Sequence, residues 1–233
     1  MLLGLDPLYW MLALPGLMLS MLASFYVKTA FGQYSRVRSQ RGLTGAEAAA
    51  TMLRRAGVND VRIERVGGFL SDHYDPTVRT LRLSPEVYGS ESLAAIGVAC
   101  HEAGHALQHA DNYAWLGLRT SLVPLASFGS NFSYILFFIG LFLRSMLMVK
   151  MGLILFAAAV LFTIVTLPVE WNASARAKEA MVNSGIVTHE EREGAATVLN
   201  AAFLTYVAAA VSAILTLLYF LLRSGLLGGR RND

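Results

Sequence analysis

The chain has 233 residues, of which 55% are hydrophobic and only 15% charged. Soluble domains carry roughly a quarter charged residues, so this composition excludes an ordinary soluble protein and points into a lipid bilayer. The formal net charge of +3 gives no reason to expect a nucleic-acid partner, and the single cysteine, Cys100, excludes an intrachain disulfide or a Cys-rich metal site.

Residues 7–27 form a continuous apolar run, long enough for a hydrocarbon layer of about 30 Å. No Lys or Arg precedes it, and Tyr9, Trp10, Phe25 and Tyr26 lie near its ends as interfacial aromatics do. Residues 1–27 are therefore expected as a retained transmembrane helix, kinked at Pro15, rather than a cleaved leader. Residues 28–121 read as a soluble insert. Thr44 and Glu47 have the spacing of a capping box that opens a helix, and Gly57 is a natural residue to follow its end. Residues 61–66 and 78–83 alternate apolar and polar side chains, which predicts two strands of a small antiparallel sheet. Between them, Ser71-Asp72-His73-Tyr74-Asp75-Pro76 reads as a polar turn.

Residues 122–169 are expected to form a transmembrane hairpin, its two spans at 122–143 and 151–168. Ser127, Ser130, Asn131 and Ser133 in the first of these are expected to face protein rather than lipid. A helical segment at 170–200, a fourth span at 201–222 and a basic, glycine-rich flexible tail at 223–233 complete the chain. Most Lys and Arg residues, including Lys28, Arg36, Arg38 and Arg41 beside the first span, fall in 28–121 and 170–200. The positive-inside rule assigns that side to the cytoplasm of a cell (plasma) membrane protein. Two spans separate residue 121 from residue 170, so both segments belong to one face whichever way the chain is oriented.

At the C-terminal part of the insert stands His101-Glu102-Ala103-Gly104-His105. Residues four apart share a helix face, so His101 and His105 can offer two imidazoles to one zinc ion, with Glu102 placed to act as general base toward a water there. The plainer alternative is a buried helix whose histidines pair with their neighbours. A catalytic zinc needs a third protein ligand, and Glu170 is the strongest candidate, followed by small residues Ala173, Ser174 and Ala177 that permit close packing. The alternative for Glu170 is an interfacial carboxylate solvated by headgroups. Ser174, one turn on, can hydrogen-bond a ligand histidine, and Arg176 can pair near Glu170 or polarise a substrate carbonyl. A strand near Gly68, Phe69 and Leu70 is expected to hold substrate backbone on the sheet edge. His73 can support an oxyanion, or it is a turn residue bonded to Asp72 or Asp75. Cys100 reads as a small buried hydrophobe. His109 reads as a supporting or surface residue, and Glu179, Glu190, Glu191 and Glu193 as solvated helix surface.

These segments resemble the YugP-like membrane zinc metallopeptidases, the neutral zinc metallopeptidase type 2 group. The resemblance lies in 71–76, in 81–84 with 94–99, in His101 to Gln108, and in Leu167-Pro168-Val169-Glu170 with 173–177. It covers essentially the whole chain and implies zinc bound by His101, His105 and Glu170, with Glu102 as the catalytic base. More distantly, Glu170-x-x-Ala173-Ser174-x-x-Ala177 is similar to the E-x-x-A-D-x-x-A segment of the membrane gluzincins related to HtpX and the CAAX-processing proteases. An Asp there orients a zinc histidine, whereas this chain has Ser174.

The expected fold is thus a mainly α membrane protein with four transmembrane helices and a small α+β gluzincin-like insert carrying the HExxH helix. The expected function is zinc-dependent hydrolysis of peptide bonds in membrane-associated or unfolded proteins at the cytoplasmic surface, with the lipid bilayer and a protein or peptide substrate as partners. The alternative is a non-catalytic membrane adaptor, stabilised by zinc and binding a partner's strand. A coordinatively closed zinc in that case requires a fourth ligand such as His73 or His109.

Overall fold

The computed structural model describes residues 6–68 and 71–226. In chain order its elements are α1 (Pro7–Tyr34), α2 (Gly45–Arg55), β1 (Arg62–Arg65), β2 (His73–Asp75), β3 (Thr80–Leu83), α3 (Pro85–Tyr88), α4 (Leu93–Ala110), α5 (Ala114–Phe142), α6 (Met146–Asn183) and α7 (His189–Arg223). Helices α1, α5, α6 and α7 are long and apolar enough to cross a membrane, so the mainly helical, four-span fold expected from composition is the one observed. Pro15, Pro124 and Pro168 each lie inside a continuous helix. The chain divides into two compact units, one of Met1–Ala23, Gly117–Leu167 and Thr205–Asp233, the other of Ser24–Leu116 and Pro168–Leu204.

The first unit is built around aromatic and β-branched side chains. Phe137 stacks on Phe220 with ring centroids 4.1 Å apart, and Val149, Phe156, Val160 and Tyr219 close around them. Asp6 accepts the Leu8 amide at 3.0 Å and the Tyr219 hydroxyl at 3.0 Å, which satisfies a carboxylate placed where α1 begins. The expected inward facing of the α5 polar residues holds only for Ser133. Ser127, Ser130 and Asn131 are exposed, and the last two bond back to the Ser127 carbonyl at 3.1 and 2.9 Å. Satisfying a polar group on its own helix removes the need for a protein neighbour.

The second unit begins with α2, whose capping box forms as the Thr44 and Glu47 spacing predicts. It ends in a Schellman turn, with the Val58 amide on the Leu53 carbonyl, the Gly57 amide on the Arg54 carbonyl, and Gly57 at φ +76°. The sheet differs from expectation. Its order is β1-β3-β2, with β1 parallel to β3 (Ile63 opposite Leu81) and β2 antiparallel to it (Tyr74 opposite Leu81). The polar stretch read as a turn therefore contains the edge strand β2, and the turn itself is displaced to 76–79. Polar residues suit that edge because each has a partner. Asp72 accepts the Ser84 amide and hydroxyl, and Asp75 accepts Arg82 at 2.8 Å. A second difference concerns Glu191, which is 8% exposed rather than solvated. It caps α7 by accepting the Thr188 amide at 2.8 Å, and its other oxygen takes the Gln40 amide at 2.7 Å.

Helix α4 is the centre of this unit. Ser92 caps it by accepting the Ala95 amide, and Ile96, Ala99, Cys100 and Ala103 are buried in one core with Ala48, Met52, Leu81, Leu83, Ala177 and Met181. Full burial pushes the Cys100 thiol up to about 12, which keeps it protonated and inert. Where α4 meets α6, a Cβ on Gly104 would stand 2.6 Å from the Ala173 carbonyl oxygen. Only glycine admits this approach, because the obstructing atom is helix backbone and cannot rotate away. Gly104→Ala is expected to destabilise the detergent-solubilised protein by about 1–3 kcal/mol in denaturant unfolding. Unchanged stability would mean that α4 and α6 part without cost.

Candidate active site

The contact at Gly104 and Ala173 sets side chains of α4 and α6 against one another. His101 and His105 lie one turn apart on α4, their rings 4.8 Å between centroids and 80° apart in plane. Glu170, one turn before Ser174 on α6, is 2% exposed and meets both rings. Its Oε2 stands 3.2 Å from His101 Nε2 and its Oε1 3.7 Å from His105 Nε2.

These three residues could hold a metal ion, their ligand atoms all lying within 4.8 Å of one another. Zinc bonds of 2.0–2.2 Å in a tetrahedron separate ligand atoms by ~3.4 Å, so the two Glu170 spacings suit zinc. The outer ring nitrogens agree with this. His101 Nδ1 lies 3.0 Å from Ser174 Oγ, and His105 Nδ1 lies 3.0 Å from Gln108 Oε1. With Nδ1 engaged, each imidazole turns Nε2 toward Glu170.

Glu102 reaches in another direction. Its Oε2 accepts the backbone amide of Tyr74 at 3.0 Å. The described strand that borders the site is therefore β2. Gly68 lies in the preceding loop at φ +112°, and Phe69 and Leu70 lie outside the described residues. His73, on β2, is exposed, with Nδ1 2.8 Å from the Ser71 carbonyl and Nε2 3.4 Å from Arg82. His109 Nδ1 shares a 2.8 Å hydrogen bond with the Tyr74 hydroxyl. Arg176 donates through Nε to Asn172 Oδ1 at 2.8 Å, pairs with Asp111, and lies over the Tyr113 ring.

Sequence reasoning did not find Tyr74, Gln108 or Asn172. Tyr74 acts through its backbone, which no side-chain pattern reveals. Gln108 had a signal, since it sits three residues after His105 on the same helix face.

Burial alone would lower the pKa of His105. The hydrogen bond to Glu170 and the charges of Glu102 and Glu170 outweigh it, and Gln108 adds to them, so in the metal-free chain the imidazole holds its proton above the ordinary value of about 6.5. This proton stabilises the metal-free fold below about pH 6.5, and the contribution is lost as pH rises through the raised value. Metal binding has the opposite dependence, because a ligand imidazole must be neutral. Zinc affinity is expected to rise between about pH 5 and 8, with proton release visible in calorimetry in buffers of different ionisation enthalpy. An affinity independent of pH would remove His105 from the ligand set.

Residues 9–225 match the family model described as "Putative neutral zinc metallopeptidase". The chain is 47% identical over 215 residues to the "Putative membrane protease YugP" of Bacillus subtilis (strain 168), covering 92% of this chain and 96% of that protein. No solved structure matches it. A match of this extent includes the HExxH helix, Glu170 and all four candidate spans, and the chain belongs to the putative neutral zinc metallopeptidase family.

Proposed function

We propose that this membrane zinc metallopeptidase is a gluzincin-type endopeptidase that cuts membrane-associated or unfolded proteins at the cytoplasmic surface. The observation that carries the reading is the convergence of His101 Nε2 and His105 Nε2 on the two oxygens of Glu170, with Glu102 beside them on the same helix. Zinc held by His101, His105 and Glu170 would supply a Lewis acid that polarises a carbonyl and acidifies water. Glu102 takes the proton from the attacking water and delivers it to the departing amine. The Tyr74 amide fixes one carboxylate oxygen of Glu102, which leaves the other to handle the proton.

Among the described residues β2 is an edge strand whose Tyr74 amide is given to Glu102, so a segment of substrate backbone laid along that edge would run beside the proposed base. His73 on that strand is exposed, its ring against the Ser71 carbonyl and Arg82, and it stands with Arg176 as a candidate for oxyanion support. Arg176 is occupied by Asp111 and Asn172. The cytoplasmic assignment rests on Lys28, Arg36, Arg38 and Arg41 following the first apolar run, and the surface location on Glu170 following the run at 151–168 by two residues. A closed, structural zinc in an adaptor would need His73 or His109 as a fourth ligand. Their contacts to Ser71 and Tyr74 favour the enzyme.

Glu102→Gln should lower cleavage of an unfolded model protein by roughly 10²–10⁴-fold while zinc content stays at the wild-type level. Equal cleavage by both proteins would remove Glu102 from the mechanism. Preference for short soluble peptides over membrane-associated chains would remove the proposed substrate class.

A further inference from the structure

We infer that Gln108 is a positioning residue that sets which nitrogen of His105 faces the metal, and that Asn172 and Arg176 hold Gln108 in the orientation this requires. The inference rests on the metal reading above and extends it beyond the three ligands.

Gln108 is fully buried, so its carboxamide must find all its partners within the protein. Both of its N–H donors are used. Nε2 donates to the Val169 carbonyl at 2.8 Å and to Asn172 Oδ1 at 2.9 Å. Turning the amide over would set its oxygen against two acceptors. Asn172 cannot relieve the clash by turning in its own right, because its Oδ1 also receives Arg176 Nε at 2.8 Å and a guanidinium only donates. Arg176 is in turn fixed by Asp111, the C-cap residue of α4.

One orientation of the Gln108 amide survives, with Oε1 3.0 Å from His105 Nδ1. An amide oxygen accepts and never donates, so Nδ1 carries the proton. The lone pair of neutral His105 is then on Nε2, the nitrogen that faces Glu170. A single line of donors and acceptors thus runs from the permanent charge of Arg176 to the metal-facing nitrogen. It passes between α4 and α6 and makes the direction of one ligand a property of their packing.

The test uses the full chain in detergent and reads metal binding directly. Gln108→Met keeps the side-chain length but removes the acceptor. Val169 and Asn172 lose the Gln108 donor as well, with Asn172 retaining Arg176, and His105 Nδ1 loses the acceptor that fixes its proton. Zinc affinity, measured by competition with a chromophoric chelator, is expected to fall about 10–100-fold, and the metal-free melting temperature, read in parallel, separates lost metal binding from the stability cost of the unpaired buried groups. The visible spectrum of the cobalt-substituted protein is expected to change, because the ligand field follows ring orientation. Asn172→Leu, which does not touch His105, should give a smaller loss in the same direction. Wild-type zinc affinity with an unchanged cobalt spectrum would overturn the role of Gln108 if seen in Gln108→Met, and the supporting role of Asn172 and Arg176 if seen in Asn172→Leu. A wild-type chain that bound neither zinc nor cobalt would overturn the metal reading beneath it.

Discussion

The approach of α4 to α6 at Gly104 and Ala173 is the constraint on which the site depends. A side chain at position 104 would hold the two backbones apart by the width of a methyl group, and every distance across the site would lengthen with it. Because the helices meet backbone to backbone, Glu170 spans both histidines, Ser174 reaches His101, and Gln108 reaches Val169 and Asn172. Glu170, His105, Ser174 and Gln108 are thereby buried at little risk, since each one arrives beside a partner. The small residues around the contact, Ala103, Ala173 and Ala177, are what allow so much polarity in so dry a place.

The partners chosen for the two imidazoles also bear on the chemistry. Both are neutral, a serine hydroxyl for His101 and a glutamine carbonyl for His105. A neutral acceptor withdraws less of the Nδ1 proton than a carboxylate does, so each ring is a weaker electron donor through Nε2. Zinc held by His101, His105 and Glu170 would be left more electron-poor in such a site, with Glu170 as its single anionic ligand. Such a site would favour polarisation of a carbonyl over tight retention of the ion.

Much of this was legible in the residues themselves. The apolar runs announced the four long helices, Thr44 and Glu47 announced the start of α2, and His101, Glu102, His105 and Glu170 stood out by type and spacing. What escaped did so for physical reasons. β2 carries Asp, His and Tyr because it is an edge strand whose side chains are bonded to Arg82 and His109, so the alternation that marks a half-buried strand is missing. The parallel pairing of β1 with β3 followed from β2 taking the antiparallel place, a fact of topology rather than of composition. Glu191 resembled its exposed neighbours Glu190 and Glu193, and only the distant Gln40 amide distinguishes it. Asn172 needed the fold to bring Gln108 within reach.

The hydrogen bond from the Tyr74 amide to Glu102 has an implication for genetics. A peptide N–H belongs to the main chain and survives every side-chain replacement except proline, which alone lacks it. Alanine scanning across β2 would leave this contact untouched and report Tyr74 only through its hydroxyl bond to His109. Natural variation at position 74 is likewise free of the amide's demand, so tolerance of many residues there is compatible with a contact that orients the proposed base. Position 74 is therefore one where a map of tolerated substitutions and a map of contributing atoms should disagree, with proline as the exception that exposes the difference.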